Sequence, residues 1–396
     1  MKGKHCIFLL LILVALMSCN DPKPITDALH RAEALMNESP DSAWTLLNTI
    51  SPDEMGQNRN RAFYALLYTQ AQDKTYRDET NDSLISIAVD YYRNTDDVRR
   101  KFLSYYYKGR VHFNGKDYLN ATTCYMEAEQ LTDEVGDDYL AGLLYSELGR
   151  IYNIYYDYSK SLKVYQKSAE CYERAGKIRH RNYIWYNQSN VCRNLNDYKE
   201  SERLLQMALA AGKEGRDSSL IRLSLGTLVM QYVEQEQMMK ADSLYNEICY
   251  FVNKDFASSS FYQRLSLMFL SFGNLTEAEQ FIKKAWSRAS SRLDSIGLYI
   301  ASADLYSLKG NGERAYRELQ KGVVMQTREA QKALQQPILT VQRDYLSEKL
   351  EFEAYRLRME KHLRMLYLLF FSLLLVVVVL FLSRKLKKEK EKARST

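Results

Sequence analysis

Most of the chain places apolar residues at the spacing of a helix, and the pattern itself repeats. Within residues 25–336, Gly109, Gly149 and Ser189 stand at successive intervals of 40 residues. Four further columns keep this interval: Asp117, Asp157 and Asp197; Ala121, Ser161 and Ser201; Tyr125, Tyr165 and Leu205; and Ala128, Ser168 and Ala208. A fixed interval of this size predicts helix pairs stacked along a solenoid, because a single pair cannot bury its apolar face alone.

Each unit contains two helical patterns. The first sets a small residue among bulky ones, as at Gly149, and the second has a small residue at each turn, as at Ala121 and Ala128. Small residues at these positions let two helices approach closely while aromatic side chains fill the gaps between them. This pattern resembles the tetratricopeptide repeat (TPR), W-x2-L-G-x2-Y followed by A-x3-F-x2-A. The resemblance is specific over 99–328 and weaker over 25–95, where two further hairpins are expected.

The resemblance implies an all-α fold, a TPR-type α-solenoid wound as a right-handed superhelix of about eight helix pairs. In such a superhelix the first helices of the pairs line a concave groove, and in related repeats that groove binds peptides. The units are about six residues longer than the standard 34-residue repeat, so we expect longer turns between pairs, for example from Asp133 to Asp138. Asp117, Asp157 and Asp197 stand where they would cap the second helices.

The repeat register gives the residues that would face the groove. We expect Arg110, Arg150 and Arg193 to hold a carboxylate in a bidentate fashion. Asparagine amides both donate and accept, so they can hold an extended peptide backbone, and tyrosines supply flat contact area. The candidates of these two types are Asn114, Asn153, Asn190 and Asn194, with Tyr106, Tyr183 and Tyr186. This chemistry is similar to that of a carboxylate-clamp TPR groove and favours an acidic or C-terminal peptide; ordinary solvated helix faces are the alternative.

The chain begins with a basic segment and a short apolar run. The run from Cys6 to Asn20 carries no charge, and its length suits a signal-peptide core better than a membrane span. The sequence Leu16-Met17-Ser18-Cys19 resembles a bacterial lipobox, which implies cleavage after residue 18 and a lipid on Cys19. Residues 1–18 are therefore predicted as a signal peptide and 19–24 as a lipidated tether. A plain secretory signal with an incidental cysteine is the alternative.

Residues 365–383 form a second uncharged run, which is long enough for a transmembrane helix. The tail 384–396 has seven basic and two acidic residues, so the positive-inside rule predicts that it is cytoplasmic. With the signal peptide, this predicts a periplasmic body and a single C-terminal span of the inner membrane. Between them, 337–364 is predicted as a stalk helix whose heptad seam would join two copies as a coiled-coil homodimer. A helix that caps the solenoid is the alternative.

This order of segments is similar to that of Gram-negative envelope regulators in which a TPR array precedes a transmembrane helix. In fuller members, a DNA-binding domain or a kinase follows on the cytoplasmic side. Here only the short tail 384–396 follows the predicted span, so we expect the output domain to be lacking. The resemblance implies sensing or scaffolding in the periplasm.

Composition and motifs disfavour several other functions. The net charge of +6 over 396 residues comes from the two ends, because acidic residues balance the basic ones to within one charge over 19–383, so nucleic acid is not an expected partner. Five histidines without metal-ligand spacing, and no glycine-rich phosphate loop or nucleophile elbow, disfavour a metal site, a cofactor and an enzyme. Cys171 and Cys192 are the best-placed pair for a disulfide, with buried free thiols as the alternative.

The sequence therefore predicts a non-catalytic protein-interaction scaffold. We expect the Cys19 lipid and the 365–383 helix to anchor it in the inner membrane, and its TPR groove to bind a peptide or protein in the periplasm. The alternative is a sensor component that passes ligand binding through the stalk to a separate cytoplasmic partner.

Overall fold

The structure, a computed structural model, describes residues 23–51, 55, 58–244, 247 and 258–334, together with 365, 367 and 371. Every regular element in these described residues is a helix. The chain divides into two units, 1–336 and 337–396, and nearly all of the described residues belong to the first. This confirms the predicted all-α class.

We number the helices of the described part of the first unit α1 to α17 in chain order. The first nine are α1 (Lys23–Leu35), α2 (Pro40–Leu47), α3 (Asn58–Lys74), α4 (Ser83–Tyr92), α5 (Val98–Asn114), α6 (Tyr118–Glu129), α7 (Thr132–Val135), α8 (Asp138–Ile154) and α9 (Tyr158–Arg174). The others are α10 (Ile178–Asn194), α11 (Tyr198–Glu214), α12 (Ser218–Glu234), α13 (Met238–Ser243), α14 (Ser259–Ser271), α15 (Leu275–Trp286), α16 (Arg292–Leu308) and α17 (Gly312–Leu334).

These helices stack as antiparallel pairs along a solenoid. The pairs are α1–α2, α3–α4, α5–α6, α8–α9, α10–α11, α12–α13, α14–α15 and α16–α17, and α7 is a single turn between the third and fourth pairs. The two helices of each pair pack on each other, and first helices also contact the next first helix, as α3 does α5 and α12 does α14. This local packing is typical of repeat proteins and confirms the TPR-like solenoid and the number of pairs.

The repeat is long because its helices are long. From α8 to α12 every helix has 17 residues, and three residues join each helix to the next. The expected longer turn between pairs is therefore wrong, apart from the segment from Asp133 to Asp138, part of which forms the one-turn helix α7. Two helices and two turns of these lengths together account for the interval that separates Asp157 from Asp197.

Most of the three-residue turns close one helix and cap the next, whereas the α9–α10 turn has Lys177 in the capping place and no side-chain cap. In the α8–α9 turn the amide of Asp157 donates to the carbonyl of Tyr152 at 2.9 Å, which is the Schellman pattern, and Tyr156 before it has a φ of 61°. The Asp157 side chain then accepts from the amide of Lys160 at 3.1 Å. The predicted caps are confirmed, and aspartates on the first helices act in the same way; the full set is Asp97, Asp117, Asp137, Asp157, Asp197 and Asp217.

Small residues bring the two helices of a pair together, as predicted. A Cβ added to Gly149 would lie 2.6 Å from the Tyr165 ring, and one added to Gly109 would lie 2.4 Å from the Tyr125 ring. The Ser161 hydroxyl donates to the carbonyl of Gly149 at 2.8 Å, which satisfies a buried polar group at this close approach. The repeating columns are thus positions at which the two helices of a pair touch.

The predicted segments at the two ends fall largely outside the described residues. This applies to the signal peptide 1–18, to Cys19, to the stalk 337–364 and to the tail 384–396; of 365–383, three residues are described. Within the described part of the chain, no helix has both the length and the apolar character that a membrane crossing requires. Helix α1 begins at Lys23, two residues before the predicted start of the solenoid, because Pro24 is tolerated in a first helical turn.

Candidate peptide-binding face

The first helices α3, α5, α8, α10, α12 and α14 form a continuous row, whose shared surface we call the first-helix face. Side chains of each helix contact those of the next. The contacts are Asp73–Arg110 at 2.7 Å, Arg110–Glu147 at 3.0 Å, Asn153–Asn194 at 3.4 Å, Arg193–Glu234 at 3.1 Å and Thr227–Arg264 at 2.8 Å. Most of the predicted groove residues lie in this row, so the structure brings them onto one face.

The predicted groove arginines are already paired with carboxylates of the protein. Arg110 contacts both Asp73 and Glu147 and is largely buried. Arg150 donates to Glu147 at 3.0 Å, and its guanidinium lies 4.4 Å from the centre of the Phe113 ring. These two arginines and two acids form a charge-balanced cluster, which we call the α3–α8 ion cluster. Their charge is therefore compensated internally, in contrast to the predicted role of free carboxylate holders.

The acids of this cluster have shifted pKa values. Burial alone would raise the pKa of Glu147, but Arg150 and Arg110 together hold it below its usual value. For Asp73, burial outweighs the attraction of Arg110, and the pKa is raised. Despite burial, Glu147 and neighbouring groups raise the pKa of Arg110, so this guanidinium stays charged. The cluster is a structural junction of three first helices.

Tyr106 lies in the packed interior rather than on the surface. It is 4% exposed, and its ring centre lies 5.9 Å from that of Tyr125. Burial raises its pKa well above the usual value, because the ionised phenol would lose its hydration. The prediction that Tyr106 faces a ligand is therefore wrong, since the aromatic ring fills the space between α5 and α6 beside the ion cluster.

The predicted asparagines use part of their hydrogen-bonding capacity within the protein. The Asn114 amide donates to the carbonyl of Glu79 at 3.3 Å, and that of Asn190 donates to the carbonyl of Tyr186 at 2.9 Å. Asn194, which is exposed, donates to the Asn153 side chain across α8 and α10. Each amide can form further hydrogen bonds, and the Asn153–Asn194 pair is the more accessible of these positions.

The two predicted tyrosines of α10 contact α12 and α14. The Tyr183 hydroxyl donates to Asp217 at 3.2 Å, and Arg179 donates to the other oxygen of that carboxylate at 2.7 Å. The hydroxyl of Tyr186 lies within hydrogen-bonding reach of Thr227 and Arg264. Burial would raise the pKa of Tyr186, but the Arg264 charge and these hydrogen bonds lower it below the usual value of 10.0.

Arg264 and Gly226 are site residues that the sequence analysis missed. Arg264 reaches from α14 past α12, and a Cβ on Gly226 would lie 3.2 Å from the Arg264 Cδ atom. Ser146, Tyr186 and Gly226 are 40 residues apart, the interval of the repeat. Gly226 therefore occupies a column of the repeat that faces the groove. A glycine in a column otherwise held by larger residues was the available signal that another side chain crosses there.

The first-helix face also contains small cavities. One of about 120 Å³ lies between α8 and α10 and is lined by Ser146, His180, Tyr183 and Asn187 among others. Burial, and then the nearby Arg179, lower the pKa of His180, which favours the neutral imidazole. A second cavity, of about 200 Å³, lies between α12 and α14. The face therefore offers recesses at two of its helix junctions.

The cysteines and acidic residues offer no assembled chemical centre in the described part. Cys124, Cys171 and Cys192 are buried free thiols, so the pair Cys171 and Cys192 is not bridged. Burial raises the pKa of Cys192 to about 11, which keeps the thiol protonated at neutral pH. Among the described residues, no three or more His, Cys, Asp or Glu side chains are grouped in a way that would hold a metal ion.

Comparisons with known proteins support the fold. No protein-family profile matches the chain, and no curated protein shows significant sequence similarity to it. A tetratricopeptide repeat protein from Parabacteroides merdae is 11% identical, with a TM-score of 0.50 over 70% of this chain and 98% of that one. The quorum sensor NprR from B. thuringiensis is 12% identical, with a TM-score of 0.52 over 77% of this chain and 99% of that one.

A third solved structure has the same kind of fold within a longer protein. It is a signal transduction ATPase with a tetratricopeptide repeat sensor from Pyrococcus horikoshii, 16% identical, with a TM-score of 0.53 over 78% of this chain and 47% of that one. At identities this low the likeness concerns the fold alone. The chain is thus similar in architecture to TPR-type helical-repeat proteins.

Proposed function

We propose that the protein is a non-catalytic interaction protein that binds a peptide or an extended protein segment on the first-helix face. The observation that carries this proposal is the continuous row of first helices from α3 to α14, whose polar side chains are fixed by contacts between neighbouring helices. Side chains that are held before binding lose little conformational entropy when a ligand arrives. The Asn153–Asn194 pair and the recess beside Tyr183 are accessible polar groups of this row.

The charge pairing changes the expected ligand. Arg110 pairs with Asp73 and Glu147, Arg150 pairs with Glu147, and Arg193 pairs with Glu234. These three arginines therefore add little net positive charge to the face over 103–194. We therefore propose that this part of the face recognises the peptide backbone and neutral polar side chains, rather than selecting for acidic residues.

The experiment is a selection from a displayed library of random peptides on the purified full-length protein, followed by affinity measurements on the recovered peptides. We expect the double variant Asn153→Ala/Asn194→Ala to weaken binding by about tenfold or more, which corresponds to about 1.4 kcal/mol. The matched control is Gln166→Ala/Glu170→Ala on the exposed side of the second helix α9, which should leave affinity within twofold. If the two double variants have the same effect, the ligand does not lie on the first-helix face.

We further propose that the protein is anchored in the inner membrane with its solenoid in the periplasm. The lipobox-like segment ending at Cys19, the uncharged run 365–383 and the basic tail 384–396 support this topology. A reporter that works only in the cytoplasm should be active when it is fused after Thr396. A reporter that works only in the periplasm should be active when it is fused after residue 336, and the reverse result would contradict the topology.

A sensor component is the second candidate function. Two of the similar solved structures are described as a quorum sensor and as a protein with a TPR sensor, and this supports sensing as the alternative. In this role, the effect of ligand binding to the solenoid would be transmitted through residues 337–364 and 365–383 to a separate cytoplasmic partner. Replacing the 365–383 segment with an unrelated membrane helix would abolish a sensor's output and leave a scaffold's function unchanged.

A further inference from the structure

The cavity between α12 and α14 differs from the rest of the first-helix face in its chemistry. Its volume is about 200 Å³, and its polar lining consists of two arginines and three serines: Arg222, Arg264, Ser219, Ser258 and Ser260. The lining comes from the first turns of both helices and from the next turn of each. Hydrogen-bond donors therefore converge on one recess from two elements.

The two arginines have no carboxylate partner among the described residues. The Arg222 guanidinium donates to the Ser219 hydroxyl at 3.2 Å. That of Arg264 donates to the Thr227 hydroxyl at 2.8 Å and to the carbonyl of Leu223 at 3.4 Å. Both side chains are half-buried. A half-buried charge without an acidic partner has given up hydration without gaining a counter-ion, and a bound anion would restore the balance.

The carboxylate that caps α12 does not supply this counter-ion. The two oxygens of Asp217 accept from Arg179, from the Tyr183 hydroxyl and from the amides of Ser219 and Leu220. Arg110, Arg150 and Arg193, by contrast, each have an acidic partner, as described above. At this cavity neither Arg222 nor Arg264 has a carboxylate partner among the described residues, and the acidic group nearest in kind is the Tyr186 phenol beside Arg264.

The serines add neutral donors around the same space. The Ser258 hydroxyl caps α14 by accepting from the amide of Phe261, and it lies 3.0 Å from the Ser260 hydroxyl. With Ser219, three hydroxyls and two guanidinium groups surround the recess. A carboxylate has two oxygens to receive them, whereas a phosphate group has three and up to two negative charges. The donor set therefore matches a tetrahedral oxyanion better than a planar one.

We propose that the cavity between α12 and α14 binds the phosphate group of a phosphate monoester through Arg222 and Arg264, assisted by Ser219, Ser258 and Ser260. This assignment does not depend on peptide binding by the rest of the first-helix face. The ester is carried either by a phosphorylated side chain of a partner protein or by a small phosphorylated molecule.

The test is calorimetric titration of the purified full-length protein with phenyl phosphate, with inorganic phosphate and with acetate. We expect phenyl phosphate and inorganic phosphate to bind, and acetate to bind at least tenfold more weakly. Arg222→Gln and Arg264→Gln should each weaken phenyl phosphate binding by about tenfold or more, because each removes a charge-assisted hydrogen bond. The control is Arg216→Gln, at an exposed position in the α11–α12 turn, which makes the same change in charge outside the cavity. Its affinity for phenyl phosphate should stay within twofold of that of the unmodified protein.

Lysine variants and circular dichroism keep the test independent of misfolding. Arg222→Lys and Arg264→Lys retain the charge and should lose less affinity than the glutamine variants at unchanged helical content. Binding that survives both glutamine variants, or acetate that binds as tightly as phenyl phosphate, would overturn the proposal. A phosphoserine peptide that binds at least tenfold more tightly than free phosphoserine would identify the source as a modified protein; equal affinities would identify a small ester.

Discussion

At the scale of single residues, an aspartate at the end of four of the turns has two structural roles. Its backbone amide completes the end of the preceding helix, and its carboxylate accepts from the first free amides of the next helix, as at Asp157. Both groups would otherwise lack hydrogen-bond partners, because helix ends leave amides and carbonyls unpaired. The same pair of contacts occurs at Asp117, Asp197 and Asp217, so local hydrogen bonding at these residues fixes where one helix ends and the next begins.

We predict that Asp157→Ala lowers the free energy of unfolding by about 1 kcal/mol, because the amide of Lys160 loses its acceptor. Asp157→Asn, which keeps a side-chain oxygen, should cost less than half of this. Denaturant unfolding followed by circular dichroism measures both variants. Equal stabilities for the alanine and asparagine variants would show that the cap does not contribute.

The second residue-scale prediction concerns pH and Tyr186. Because Arg264 lowers the pKa of Tyr186 below its value of 10.0 in an unfolded chain, ionisation of this phenol favours the folded state. Its stabilising contribution is complete above pH 10 and is lost as the pH falls through the lower, folded-state pKa. In an ultraviolet titration of phenolate absorbance, the Tyr186→Phe variant should lack the transition that occurs at the lowest pH.

The Arg264→Gln variant provides the matching control. It should shift that same transition upward without removing it, because the phenol remains while the neighbouring charge is gone. A lowest-pH transition that persists unchanged in both variants would mean that another tyrosine is responsible.

At the scale of helices, the close approach of the two helices of a pair depends on paired positions that recur in the sequence. Gly109 and Tyr125 recur one repeat later as Gly149 and Tyr165, and each ring lies against its glycine. The repeat therefore predicted which faces meet within a pair. It did so because helix pairing is a local contact between columns of the same unit.

We predict that Gly149→Ala lowers the free energy of unfolding by about 1–3 kcal/mol, because the new methyl group overlaps the Tyr165 ring and outweighs the gain in helix propensity. Gly312→Ala is the matched control: it also lies in a helix, and nothing lies within 4 Å of the added Cβ. The control should be neutral or slightly stabilising in the same denaturation measurement. A stabilised Gly149→Ala variant would contradict the observed packing.

Contacts between successive first helices were much harder to predict. The arginines of the α3–α8 ion cluster were recognised, whereas their partners Asp73 and Glu147 were not. The two acids occupy different positions in their helices and do not recur at the interval of the repeat, so no column contains them. Whether they reach Arg110 depends on how neighbouring units are rotated, which a single sequence does not specify. The sequence therefore placed most of the candidate residues on one face, whereas the internal pairing of its arginines was not predicted.

Removing one acid tests the importance of the α3–α8 ion cluster. We predict that Glu147→Gln lowers the free energy of unfolding by about 3 kcal/mol, because Arg110 is then left in a largely buried position with fewer counter-charges. Glu170→Gln makes the same chemical change at an exposed position on α9. It should change the free energy of unfolding by no more than about 0.5 kcal/mol. An equal loss of stability in both variants would indicate a general effect of charge and would contradict a structural role for the α3–α8 ion cluster.

At the scale of the whole molecule, the first helices of the solenoid share one extended face. Contacts run mainly between neighbours in sequence, so the face is built from many similar helices that each contribute a few side chains. The apparent basicity of the chain lies at its two ends, and the paired arginines leave most of the face without net charge. Under the proposed function, recognition would depend on the positions of individual polar groups, among them the two arginines of the α12–α14 cavity.

The most direct measurement of the central claim is site-specific photocrosslinking in living cells. A photoreactive residue is introduced at position 153 or 194 on the first-helix face, and at position 166 or 170 on α9 as a control. We predict discrete crosslinked partners from 153 and 194 that are absent from 166 and 170. Crosslinks of equal yield from both sets, or only from α9, would contradict binding on the first-helix face.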